Sequence, residues 1–208
     1  MLAELGTGIL LGLSLAILAG PAMIVLVKTS LERGFRIGLL FAVGIWVSDI
    51  MFAALTHFSI SWIVESLENS NFKNTLGFVG SLILFIFGVA TIQAKEKNRK
   101  PKIENMRKRE KFKIFLKGFA VNTFNPFAIV FWIGVSSGVI SGANDDFIAI
   151  WVYIGLILTL IVTDILKAAL SQKLGKFLDS RYMTYLKKGL GVVMIIFSVV
   201  LIVRTMSM

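Results

Sequence analysis

Two aspartates stand inside stretches otherwise apolar enough to cross a bilayer, and they have the clearest capacity for chemistry. Asp49 lies near the middle of a segment running from about Ile37 to Val64, and Asp164 close to the end of one running from Phe147 to Leu166. Burying an ionised carboxylate in hydrocarbon costs several kcal/mol, so such a group has a task or a partner. Asp49 could bind a substrate ammonium, carry a coupling proton, or do both in turn; the plainer alternative is a paired carboxyl that bonds helix to helix. For Asp164 a local alternative stands beside the functional one, because Lys167 follows at i+3 on the same helical face.

A second group of candidates surrounds a proline. The stretch Val121-Asn122-Thr123-Phe124-Asn125-Pro126 supplies two amides, Asn122 and Asn125, beside a backbone position that cannot donate a hydrogen bond. Broken backbone at membrane depth is tolerated where it lines a cavity or packs into protein, which makes this a candidate site wall or gate. An ordinary helix start, with Asn as cap and Pro in the first turn, would have the same sequence. Gly20-Pro21 forms a comparable break late in the first apolar segment. His57, two turns outward from Asp49 and about 80° away in azimuth, is a minor candidate for proton relay, against an ordinary interfacial histidine. Trp132 is a minor candidate for lining the path, although membrane tryptophans commonly anchor at interfaces.

The elements that would position these residues follow from hydropathy. The chain has 208 residues, 56% of them hydrophobic, and a mean hydropathy of +0.83, which excludes an ordinary soluble domain. Six spans are expected: Leu5 to Val27, Ile37 to Val64, Asn74 to Ala94, Gly118 to Asn144, Phe147 to Leu166, and Gly189 to Val203. Gly8, Gly12, Ala16 and Gly20 form a smooth ridge on the first, suited to close helix approach in lipid. Gly38, Ala42, Ala53 and Thr56 lie within about 40° of Asp49, so the aspartate sits on a small-residue face that should pack inward. Gly77, Gly80, Ser81 and Gly88 offer the third segment a similar surface.

Orientation comes from charge. The stretch Lys95 to Lys117 holds 11 of the 22 basic residues and, flanked by spans, reads as a cytoplasmic loop touching anionic lipid rather than a nucleic-acid-binding segment. With the first and last interior loops, 20 of the 22 basic residues fall on one side, leaving Lys73 and Arg204 outside with Glu4, Glu65, Glu68, Asp145 and Asp146. Both termini are therefore expected outside, and Glu4 in place of a basic leader argues against a cleaved signal peptide. The fold class is an all-α integral membrane protein, one domain over 1–208, with six transmembrane helices as two inverted three-helix halves (1–94 and 118–208) joined by the basic cytoplasmic loop 95–117. Ser48-Asp49-Ile50 and Thr163-Asp164-Ile165 echo each other across the halves, as do the two proline breaks. Inverted repeats with interrupted helices are a common transporter plan, with the site at the repeat interface.

The run GPAMIVLVKTSLERGFRIGLLFAVGIWVSDIMF, the basic centre, and FLKGFAVNTFNPFAIVFWIG together resemble the LysE/RhtB family of amino-acid exporters over nearly the full length. The resemblance implies a bacterial inner-membrane, multi-pass exporter of amino acids or related metabolites, driven by the proton gradient. Where the family usually places an asparagine shortly after Gly-Pro, this chain has Ala22-Met23, and no acid follows Asn-Pro between Phe127 and Trp132, unlike the lysine- and arginine-exporting branch. The substrate is therefore not read from the family name.

The alternatives are an exporter of an inorganic cation, which would normally need more oxygen or imidazole ligands than two aspartates, and a membrane-embedded enzyme. With no cysteine, a single histidine and two acids in separate halves, the chain lacks the usual catalytic groupings, and no catalytic residue, metal site or cofactor is expected. Expected partners are a small-molecule substrate, protons as coupling ion and anionic lipid at the basic loops, with self-association left open and nucleic acid excluded.

Overall fold

The computed structural model describes residues 1–18, 20–68, 70–93, 107–142, 146–174 and 180–207, without the side chains at 18, 21, 60–61, 63–73, 140–148, 172–183 and 186–187. Eight helices run through the described residues: α1 (Leu2–Leu18), α2 (Gly20–Arg33), α3 (Phe35–Glu68), α4 (Ser70–Gln93), α5 (Lys108–Thr123), α6 (Pro126–Gly142), α7 (Asp146–Leu174) and α8 (Ser180–Met206). Four contain stretches long and apolar enough to cross a membrane: Phe35–Ser59, Asn74–Gln93, Ala149–Ser171 and Lys188–Met206. The pairs α1/α2 and α5/α6, bent by 71° and 63°, bring the number to six if each pair is one span.

These bent pairs correct two sequence expectations. Leu5 to Val27 is not one helix: α2 starts at Gly20, whose φ of +52° suits glycine, and continues through Lys28 to Arg33. Gly34, with φ +89°, then ends α2 by donating its N–H to the Ser30 carbonyl (3.0 Å). Pro21 is therefore the second residue of a helix rather than a late break in a longer one.

The second correction concerns the basic stretch. Residues 94–106 lie outside the described set, but 108–117, expected as loop, form the first ten residues of α5. The Arg107 N–H donates to Glu110 Oε2 (2.9 Å), which caps the helix start, and Ile114 is buried. Charge alone marked this stretch as loop; its local capping and one anchored apolar face make it helix.

The residues cluster into two compact units, each drawn from both halves of the sequence. The first combines Met1–Phe58 with Arg99–Phe177. In it α1 lies along α7 on the expected ridge: a Cβ on Gly8 would overlap the Val152 carbonyl, and one on Gly12 would come within 2.7 Å of Thr159. A Cβ on Gly155, across the seam, would lie 2.5 Å from the Leu5 carbonyl. α3 and α5 touch through glycine as well, since a Cβ on Gly44 would overlap the Phe115 carbonyl and one on Gly118 the Phe41 carbonyl. Lipid offers apolar side chains as good an environment as protein, so helices associate by such close backbone approach. One buried cluster in this unit includes Leu15, Trp132, Leu156 and Leu160; another includes Leu26, Phe41, Ile45 and Ala168.

The second unit combines Ser59–Asn98 with Leu178–Met208 and pairs α4 with α8. Gly77 meets Thr205, Gly88 meets the Gly191 carbonyl, and Ser198 Oγ donates to the Ser81 carbonyl (2.8 Å). These are the small residues that the sequence offered for packing on the third segment.

Candidate functional site

Asp49 is buried in the first unit, on the inward face of α3 with Ala42 and Thr56. Its Oδ1 accepts two hydrogen bonds, from Asn122 Nδ2 (2.8 Å) and from the Trp132 indole Nε1–H (3.0 Å). Asn122 lies in the last turn of α5, and Trp132 in the second turn of α6. In an unbroken helix these two positions would be about 15 Å apart along the axis and could not share one oxygen. The 63° bend between α5 and α6 brings them together.

Local chemistry makes that bend. Asn125 caps α6, its Oδ1 accepting the Phe127 N–H (3.2 Å) and its carbonyl the Ile129 N–H (3.1 Å). Pro126 is the first residue of α6, where no donor is needed. The ring of Phe127 is also the nearest neighbour of Gly20: a Cβ there would lie 3.2 Å from it. The breaks in the two bent pairs thus adjoin each other.

Asp164 has a separate set of partners. Lys167 Nζ donates to Oδ1 (2.9 Å), which is the local ion pair that the i+3 spacing suggested. Trp46 Nε1–H donates to Oδ2 (3.2 Å) from α3, one helical turn before Asp49. Each aspartate therefore accepts an indole N–H from another helix, and α3 supports both. Ser48 adds a further bond from α3 to α5, with its Oγ 2.9 Å from Thr123 Oγ1.

Beyond Asp49 along α3, a hydroxyl cluster links three helices. Thr56 Oγ1 is 2.6 Å from Ser136 Oγ on α6, and the Tyr153 hydroxyl on α7 donates to the same Ser136 oxygen (3.0 Å). His57 Nδ1 is 3.3 Å from the Tyr153 hydroxyl, and the Tyr153 ring stacks on Trp132 at 6.4 Å between centroids.

Two cavities flank this arrangement within the same unit. One, of about 340 Å³, is polar and lies among α2, α3 and α5, with Phe41 in its wall. The other, of about 550 Å³, is an apolar groove between α3 and α7 whose polar groups are His57 and Tyr153. Asp49 lies midway between Phe41 and His57 on α3, eight residues from each, and lines neither cavity.

A family model described as LysE type translocator matches residues 13–205, which takes in the break of each bent pair, both aspartates and all of their partners. The chain belongs to the LysE type translocator family. A relative from Bacillus subtilis (strain 168), named "Putative amino acid efflux protein YcgF", is 24% identical over 140 residues, covering 67% of this chain and 65% of the relative. The match thus spans just under two thirds of that relative's length. No solved structure matches the chain significantly. The LysE type translocators are a family of transporters, and several apolar helices of spanning length fit a multi-pass membrane protein.

Within this translocator the sequence-selected residues are partly assembled. Asp49, Asn122 and Trp132 meet directly; Asn125 and Pro126 shape the helix start that lets them meet. Asp164 stands with Trp46 and Lys167, and His57 with Tyr153. Gly20 sits at the other break, while the side chain of Pro21 lies outside the described residues. Ser136, Tyr153 and Thr123 were not singled out by sequence reasoning. A hydroxyl within an apolar span can satisfy its own helix carbonyl, so their cross-helix bonds leave no one-dimensional signal.

Proposed function

We propose that the protein is a secondary active exporter of amino acids or related small metabolites, with Asp49 as the group that exchanges a proton for the substrate amine. The observation that carries this reading is the buried Asp49 carboxylate, accepting from Asn122 and Trp132 on one oxygen. Hydrogen bonds between membrane helices contribute about 0.6–2 kcal/mol each, whereas burying an ionised carboxylate costs several. A proton or a substrate ammonium at Oδ2 would remove the difference, and alternation between the two is antiport. Both cavities stop short of Asp49, so transport requires it to open first to one and then to the other.

In this reading each bent pair is one span, giving six spans in two inverted halves. The repeated order of elements supports it: bent pair, long helix and terminal helix occur as α1/α2, α3, α4 and again as α5/α6, α7, α8. An odd number of spans per half inverts the second half. The charge distribution supports a basic stretch in the cytoplasm, against anionic lipid, with both termini outside an inner membrane. Gly20, Pro21, Asn125 and Pro126 mark the points where the halves flex, and Asp164 with Lys167 supplies an exchangeable ion pair beside the path. The relative's name, which describes amino acid efflux, favours this cargo over an inorganic cation.

A growth screen tests the reading. Cells overproducing the protein should resist toxic loads of particular amino acids or of dipeptides that release them, and cells lacking it should be sensitised to the same compounds. Resistance confined to metal salts would transfer the function to cation export.

A further inference from the structure

The polar cavity in the first unit is built from charges of both signs. α5 contributes Glu110, Lys113 and Lys117, at spacings of three and four that keep them on one face. α2 contributes Glu32 and Arg33 from its last turn. Phe41 and Ile114, both buried, close its inner side. A volume of about 340 Å³ falls within the range of small-molecule pockets.

We propose that this cavity is a substrate-capture site for free zwitterionic amino acids with uncharged or acidic side chains, set ahead of Asp49 on the basic side of the protein. A ligand with only negative charge would face Glu32 and Glu110, and one with only positive charge would face Arg33, Lys113 and Lys117. An α-amino acid satisfies both sets, its carboxylate on the cations and its ammonium on the carboxylates. Three bases against two acids leave a positive surplus, and Lys28, 3.8 Å from Glu32, adds to it. That surplus disfavours lysine- or arginine-like side chains. Phe41 precedes Asp49 by eight residues, about 12 Å along α3. Between them α3 and α5 meet at backbone distance through Gly44 and Gly118, so captured substrate waits outside a closed contact.

The proposal rests on the amino-acid export reading, and one set of measurements separates the two. The full chain in phosphatidylcholine nanodiscs is titrated with each standard amino acid, and then with the methyl ester and the N-acetyl form of those that bind. Binders should exclude lysine and arginine, and either modification should weaken binding about tenfold or more, the loss of at least one charge-assisted contact. A variant with Arg33→Gln and Lys113→Gln should lose a similar factor for the free acid while its affinity for the methyl ester stays near wild type. Glu32→Gln with Glu110→Gln should do the same with the N-acetyl form as the insensitive ligand, and the amide introduced at position 110 can still cap α5. Amino-acid affinity that falls in Asp49→Asn but not in the cavity variants would overturn the capture site and leave the export reading standing. Phosphatidylglycerol retained by wild type and lost from the Arg33/Lys113 variant, with amino-acid affinity unchanged, would give the cavity to a lipid headgroup and overturn it too. Absence of any amino-acid binding or export by wild type would instead contradict the export reading itself.

Discussion

Asn122 and Trp132, ten residues apart on either side of a helix break, donate to the same oxygen of Asp49. Their convergence depends on the bend, and the bend on Asn125 and Pro126. The two donors should therefore act as one unit. Asn122→Ala and Trp132→Phe should each lower transport, by about five- to thirtyfold for a buried hydrogen bond worth about 1–2 kcal/mol. The double variant should fall short of the product of the two effects, because the shared oxygen is already poorly satisfied after one loss. Full multiplicativity in reconstituted vesicles would show that the donors act separately.

Close glycine contact between α3 and α5 should be equally testable. Gly118→Ala places a Cβ on the Phe41 carbonyl, and backbone cannot yield as a flexible side chain can. Overpacking of this kind costs about 1–3 kcal/mol, so the melting temperature in detergent should drop and transport with it. Gly134→Ala, on α6 with nothing within 4 Å, should leave the melting temperature unchanged. Equal behaviour of the two variants would remove the α3–α5 contact from the account.

Much of this was legible in the sequence. Asp49 announced itself as a charge inside a span, and the small residues around it gave the inward face. Lys167 at i+3 gave the Asp164 pair. The bend geometry was not legible: Asn125-Pro126 can start a helix or line a gate, and nothing local says that the turn folds Trp132 back onto the residue that Asn122 holds. The helix over 108–117 was obscured for a related reason. Dense positive charge reads as loop, while the Arg107–Glu110 cap and the burial of Ile114 depend on one residue at a time.

At the two breaks, Pro21 and Pro126 each fall in the first turn of a helix, where proline costs no hydrogen bond. Replacing either by Ala restores an N–H and lets the preceding helix run on, which should stiffen the bend. Pro21→Ala and Pro126→Ala are expected to lower turnover more than substrate affinity at normal membrane levels. Gly20→Ala should do so more strongly, since a left-handed backbone costs a Cβ-bearing residue about 1–2 kcal/mol and the Phe127 ring is 3.2 Å away. Unchanged turnover in all three would return these residues to packing.

Topology has a direct assay because the chain contains no cysteine. Single cysteines in place of Leu2 and Ser207 should react with an impermeant thiol reagent on intact spheroplasts, and one in place of Asn105 should not. Labelling at 105 with silence at the other two would invert the assignment.

If Asp49 exchanges a proton for substrate, Asp49→Asn in proteoliposomes should uncouple transport from the pH gradient. The substitution preserves size and much of the hydrogen bonding and removes the titrating group. With a pH gradient imposed and substrate identified by the growth screen, wild type should concentrate substrate uphill, and Asp49→Glu should retain part of that activity. Asp49→Asn should insert normally, lose gradient-driven accumulation, and keep at most passive exchange of substrate for substrate. An Asp49→Asn protein that still accumulates substrate against its gradient in response to pH would contradict the account.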